Sequence, residues 1–177
     1  YVVIACNTAG AQSLGLFLQH YPYYESRIVN IVDVTHHYFK TKYPTLATAH
    51  VLATQRTVSS DIYAMLAPIT YQIPMPGLVD LIEADNHDAA MLLVDDALSY
   101  YNEISLLLLG CTHYVYLREV LEKNYPHIKI IGQDKILIDF FSEKLKTLSD
   151  TKGTSLYYVT GDTRTYSRRH QVNFQNE

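Results

Sequence analysis

The 177-residue chain is 48% apolar, carries a formal charge of −4 and contains two cysteines. This composition supports a folded core of one domain or two small ones, and it excludes a general nucleic-acid binder, which would carry a clustered basic surface. No apolar run is long enough to span a bilayer and no charged-then-apolar leader opens the chain, so it reads as a cytoplasmic protein. The three arginines between Arg164 and His170 form a solvated basic stretch. Two cysteines 105 positions apart offer neither metal-ligand spacing nor a disulfide scaffold, which leaves buried thiols, a redox pair or catalytic thiols.

Short apolar runs alternate with amphipathic stretches, the pattern of βα units and a mainly parallel sheet. In chain order the expected strands are Val2–Ala5, Ile28–Val32, His50–Ala53, Tyr71–Pro74, Ser105–Leu109, Lys129–Ile131 and Ser155–Thr160. The chain opens directly on a buried-strand pattern, with no initiator methionine and no leading turn, so it is expected to lack residues at its N-terminus. One helical stripe runs Ala90, Leu93, Val94, Ala97, Leu98, Tyr101, and another Leu137, Phe141, Leu145, Leu148 with Gly153 as a stop; both read as core packing. His36 and His37 are adjacent and so do not share a helix face, which makes them packing or surface residues.

Two of the units echo one another. Val2-Val3-Ile4-Ala5-Cys6-Asn7-Thr8 and Leu107-Leu108-Leu109-Gly110-Cys111-Thr112-His113 each run from an apolar strand through a small residue to a cysteine and then to polar residues. A residue just past the carboxyl end of a parallel strand sits where open α/β sheets bind ligands. At the start of a helix, a thiol there meets the positive end of the dipole, which favours the thiolate, and the next N–H groups can hold a carboxylate. Inverting the stereocentre of an amino acid needs a base on one face of Cα and an acid on the other, and two thiols that exchange roles meet that need.

Ala5-Cys6-Asn7-Thr8-Ala9 resembles the first cysteine motif of glutamate racemases, in the aspartate/glutamate racemase family, and Leu109-Gly110-Cys111-Thr112-His113-Tyr114 the second. His113 stands where aspartate racemases usually carry Glu. Val51–Thr57 is similar to the family's substrate-binding Thr-x-x-Thr turn, Pro76–Glu83 to the segment ending in its acidic residue, and Tyr157–Asp162 to its closing strand and Gly-Asp turn. The resemblance covers nearly the whole chain. It implies an α/β protein of two pseudo-symmetric flavodoxin-like domains with mainly parallel sheets. The first would be residues 1–32 plus 133–177, incomplete without its N-terminal strands, and the second 33–132.

The implied activity is interconversion of L- and D-glutamate, an amino-acid isomerase reaction using neither pyridoxal phosphate nor a metal. It would supply D-glutamate for peptidoglycan, and so for cell-wall biogenesis and cell shape. Cys6 and Cys111 would be the proton-transfer thiols, with His113 and Glu83 positioning or activating Cys111. Asn7, Thr8, Thr54, Thr57 and Thr112 would contact the substrate. The implied partner is the small molecule glutamate, with no nucleic acid and no membrane, and a homodimer is compatible with the reading.

The chain departs from the family at several points. The aspartate-serine-glycine turn that partners the first thiol and the Pro-Tyr-Gly loop have no counterpart and would lie upstream of Tyr1, so the chain by itself is expected to be inactive. Gly10 stands where Ser or Ala is usual, Arg56 where Gly is usual, Met75 for Cys and Val115 for Pro. A left-handed backbone at position 56 would strain Arg56. Three rivals stay open: an aspartate- or hydantoin-type racemase, an inactive racemase serving as a binding protein, and a redox pair of thiols.

Overall fold

The computed structural model describes residues 1–145 and 156–161. Residues Tyr1–Leu145 form one compact unit. It opens with β1 (Val2–Ile4), α1 (Asn7–Gln12), α2 (Leu14–His20), a 3-10 turn (Pro22–Arg27), β2 (Ile28–Asn30) and α3 (Ile31–Lys42). β1 and β2 pair in parallel, with Val3 opposite Val29. Next come β3 (Thr48–Ala53), α4 (Gln55–Ser59), β4 (Ile69–Pro74), α5 (Leu78–Glu83), α6 (His87–Leu98), β5 (Leu106–Leu109), a 3-10 turn (Thr112–Leu117), α7 (Arg118–Asn124), β6 (Lys129–Gly132) and α8 (Gln133–Leu145). These four strands form one parallel sheet in the order β4-β3-β5-β6.

The two faces of that sheet are set by the period-2 alternation of its strands. Val51, Ala53, Leu106 and Leu108 belong to a core shared with Val32 and Phe39 of α3, Tyr63, and Ile136 of α8. Leu52, Leu107 and Leu109 face the opposite way, onto Leu78 and Ile82 of α5, Ala90, Val94 and Leu98 of α6, Tyr114, and Leu121 of α7. β5 is buried along its whole length and β3 from Ala49 onward, as expected of strands covered on both faces. The fold is therefore α/β with parallel sheets, as expected. Among the described residues, no helix is long and apolar enough to cross a membrane.

Two expectations shift. The strand expected over Ile28–Val32 stops at Asn30, because the Asn30 side chain accepts from the Val32 N–H at 3.2 Å and caps α3. Ile31 and Val32 are thus first-turn helix residues, fully buried. The strand expected over Ser155–Thr160 is absent over Leu156–Thr160, where the backbone makes no strand pairing and Leu156, Tyr157 and Tyr158 are exposed; an apolar run becomes a strand only where a neighbour supplies the ladder. Ser155, Leu148 and Gly153 lie outside the described residues. Within the stripes, Ala90, Val94 and Leu98 are buried as expected.

On β3, His50 is buried, stacks on Tyr71 with ring centroids 4.9 Å apart and meets Tyr101 edge-on at 5.2 Å. Among the described residues its Nδ1 has no hydrogen-bond partner. Burial lowers its pKa below the ordinary 6.5, because the apolar surround penalises the imidazolium. The unfolded chain therefore takes up a proton as pH falls through about 6.5, while the folded chain does not until lower pH. Stability attributable to this residue is complete above pH 6.5 and declines below it. In denaturant titrations, His50→Leu should differ from the wild type at pH 8 by no more than about 1 kcal/mol of lost ring contact. It should also lose stability less steeply from pH 6.5 to 5; equal slopes would remove His50 from the acid response.

Candidate functional site

Each cysteine stands two residues beyond the carboxyl end of a parallel strand, Cys6 after Ile4 and Cys111 after Leu109, and each is the residue that precedes a helical turn. The Cys6 carbonyl accepts from the Gly10 N–H at 2.8 Å and starts α1. The Cys111 carbonyl accepts from the Tyr114 N–H at 3.0 Å, a 3-10 closure. Thr54 follows the end of β3 and Gln133 the end of β6, so the carboxyl edge of the sheets gathers all four positions.

The two thiols differ in setting. Cys6 is exposed and Cys111 half-buried. The thiolate-favouring environment expected at Cys111 does not hold. Burial pushes its pKa above the ordinary thiol value, and the negative charge of Cys6 adds to the rise, outweighing the bonds from the His113 and Tyr114 backbone that pull it down. The six-residue 3-10 turn that follows offers a weaker dipole than the α-helix the sequence suggested. Cys111 thus senses the charge of Cys6.

Cys111 lies at one end of a polar chain. His113 Nδ1 is 3.9 Å from Cys111 Sγ, and His113 Nε2 is 2.8 Å from Glu83 Oε1. With Nε2–H donating to the carboxylate, Nδ1 is left to accept from the thiol. Glu83 is the last residue of α5, whose start is set by Gly77 in the left-handed conformation at φ 80°. Both His113 and Glu83 are about two-fifths exposed, so the pair is screened by solvent. Thr112 is half-buried at the first position of the turn.

Three hydroxyls cluster beside Cys6. Thr8 Oγ1 is 3.1 Å from both Thr54 Oγ1 and Thr57 Oγ1, which are 3.0 Å apart. Thr54 caps α4 by accepting from the Thr57 N–H, and Thr57 is buried. Such a triangle presents lone pairs or, on rotation, O–H donors to an ammonium or carboxylate group.

Asn7 turns inward. Its side chain is buried, its Nδ2 donates to Gln133 Oε1 at 2.6 Å, and its Oδ1 accepts from Gln133 Nε2 at 3.0 Å and from the Tyr63 hydroxyl. Sequence reasoning missed Gln133, Tyr63 and Thr35, all fully buried. The only signal available was the position of Gln133 at a strand's carboxyl end.

The departures have local explanations. A Cβ on residue 10 would fall 2.2 Å from Asn30 Oδ1, so Ser or Ala there would displace the cap of α3. Arg56 is exposed within α4, and among the described residues those other than glycine with positive φ are Asp61 and Asp85, so the strain anticipated at Arg56 does not arise. Met75 is buried, its N–H donating to Ala53 O at 2.9 Å.

No protein-family model matches the chain. It is 31% identical to a glutamate racemase of Carboxydothermus hydrogenoformans over 91% of the chain and 63% of that protein. It is 28% identical to one of Persephonella marina over 94% of the chain and 66% of that protein. The chain thus spans just under two thirds of the length of these curated relatives. By fold, it matches a glutamate racemase of Francisella tularensis in complex with D-glutamate, with a TM-score of 0.75 and 25% identity, covering 98% of the chain and 70% of that one. A glutamate racemase isoform from Bacillus anthracis gives a TM-score of 0.80 at 20% identity. The chain is accordingly a relative of the glutamate racemases, alike in sequence over nearly all of its length and alike in fold.

Proposed function

We propose that the chain is the part of a glutamate racemase that carries both proton-transfer thiols, Cys6 and Cys111, and that it interconverts L- and D-glutamate without a cofactor. The observation that carries the reading is the matched setting of the two cysteines, each two residues past a parallel strand, with the charge of one felt by the other. In each turnover a thiolate takes the proton from Cα, breaking C–H and forming S–H. The opposite thiol then delivers its proton to the other face of the planar carbanion, breaking S–H and forming C–H. In the reverse direction the roles exchange.

The remaining residues supply binding and poise. Thr8, Thr54, Thr57 and Thr112 bind the amino-acid head, and Asn7 sets the thiol beside them. His113, oriented by Glu83, takes or returns the Cys111 proton, which suits a thiol whose pKa is raised and which rests protonated. The physiological role is supply of D-glutamate to peptidoglycan in the cytoplasm.

Assayed on the protein as expressed from its own gene, Cys6→Ser and Cys111→Ser should each reduce racemisation by at least about a hundredfold, the lower range for loss of a positioned acid–base group. Product formed by the wild type in D2O should carry deuterium at Cα. Near-normal turnover in either variant would sink the two-thiol reading.

Glu83→Gln and His113→Asn should slow the direction in which Cys111 acts as base more than the reverse, by roughly tenfold to a hundredfold in single-turnover experiments. The equilibrium ratio of isomers stays at one, so only initial rates discriminate. Equal slowing of both directions would assign the pair to binding instead.

A further inference from the structure

We propose that Gln133 is a positioning residue for the Cys6 thiol, acting through Asn7; its kinetic consequence rests on the racemase reading, its structural consequence does not. The starting observation is that the local hold on Cys6 is slight. Among the described residues β1, three residues long, pairs only with β2, and Val2 and Val3 are exposed. α1 has six residues, and the Cys6 side chain makes no capping bond. Helices this short are not stable by themselves, so tertiary contacts must fix the turn.

The contact that does so begins at the residue after the thiol. Asn7 and Gln133 form a reciprocal amide pair, each side chain donating to and accepting from the other, at 2.6 and 3.0 Å. Two bonds between planar amides fix both distance and rotation, which one bond would not. Gln133 is itself held. One of its two Nε2 protons serves Asn7, and the other is shared between Thr35 Oγ1 at 2.8 Å and the Tyr63 hydroxyl at 2.7 Å. Thr35 spends its own proton on Ile31 O and Tyr63 spends its own on Asn7 Oδ1, so both hydroxyls are set to accept. Burial raises the Tyr63 pKa strongly, which keeps that phenol a donor across the working range.

The geometry therefore runs from α3, the residue-63 loop and the start of α8 into a single side chain, Asn7, and from there to the neighbouring thiol. A glutamine is the residue this span requires. A leucine or methionine of similar size would leave the Asn7 amide buried with one partner, and Asn would fall a methylene short.

The test uses the wild-type protein and Gln133→Met, Tyr63→Phe and Asn7→Leu variants, alone and in the Gln133/Asn7 pair. Alkylation by iodoacetamide is followed for each cysteine separately by peptide mass, with a cooperative thermal transition checked for every variant. Gln133→Met should change the alkylation rate of Cys6 by about fivefold or more, as expected for loss of a buried positioning bond, and leave that of Cys111 within about twofold. Tyr63→Phe should shift it the same way by less. The double variant should match Asn7→Leu rather than sum the two effects, which a merely structural role would not produce. In racemisation, Gln133→Met should lower kcat by roughly tenfold with KM within twofold.

An unchanged Cys6 rate in folded Gln133→Met, or additive effects in the double variant, would overturn the proposal. If Gln133→Met lacks a cooperative transition, Tyr63→Phe decides: no shift in the Cys6 rate overturns it. If the wild type, as expressed from its own gene, does not racemise glutamate, that overturns the racemase reading instead and leaves the alkylation result to judge Gln133.

Discussion

Where Cys6 sits against the four-stranded sheet depends on the two residues after it, Asn7 through its buried amide pair with Gln133 and Thr8 through Thr54 and Thr57. A two-stranded parallel ribbon of three-residue strands is marginal by itself. The bonds of the Asn7–Gln133–Tyr63–Thr35 cluster each add only about 1 kcal/mol net, but an unpaired buried amide would cost about 1–3 kcal/mol. That asymmetry matters more than the sum. With all four side chains satisfied, the turn has one arrangement at low energy, and displaced arrangements strand a polar group in the core.

The same sheet edge explains how residues from distant parts of the chain meet. Parallel strands all end on one side, so Cys111, Thr54 and Gln133 are delivered to one edge by β5, β3 and β6 whatever their separation in sequence. β1 adds Cys6 by the same offset. The helices that follow each strand then divide the polar groups into two sets. One set, the threonine triangle and the amide cluster, lies around Cys6. The other, Glu83 and His113, lies around Cys111.

The strands and the face of α6 were legible because burial imposes a period the sequence must obey: Leu106 to Leu109 are apolar because both faces of β5 are covered, and Ala90, Val94 and Leu98 repeat at helical spacing. The cysteine pair was legible because two units repeat. The Asn7–Gln133 pair was not, because its members are 126 residues apart and a glutamine carries no periodic mark. Nor was the reason for Gly10, which lies in the side chain of Asn30. The run at Leu156–Thr160 misled for the converse reason, since β propensity says nothing about whether a neighbouring strand is present. Local pattern reports what a residue needs from its own element, and the site is built mostly from what elements need of one another.

The charge state of the thiol pair follows from its burial rather than from its helix ends. Two acids that feel one another titrate as a pair, and ionising the first makes the second harder to ionise. Here the half-buried member already has its pKa raised by desolvation, and the charge of Cys6 raises it further. A charge on Cys6 therefore holds Cys111 neutral to higher pH than an ordinary thiol. Two-base racemisation needs one base and one acid at the same moment, and a doubly ionised pair would have no proton to deliver. A charge on Cys111 is the costlier one, and there the Nδ1 of His113, held by Glu83, stands 3.9 Å from the sulfur. The pair is thus asymmetric: an exposed thiol with no such acceptor among its described contacts, and a half-buried thiol with one.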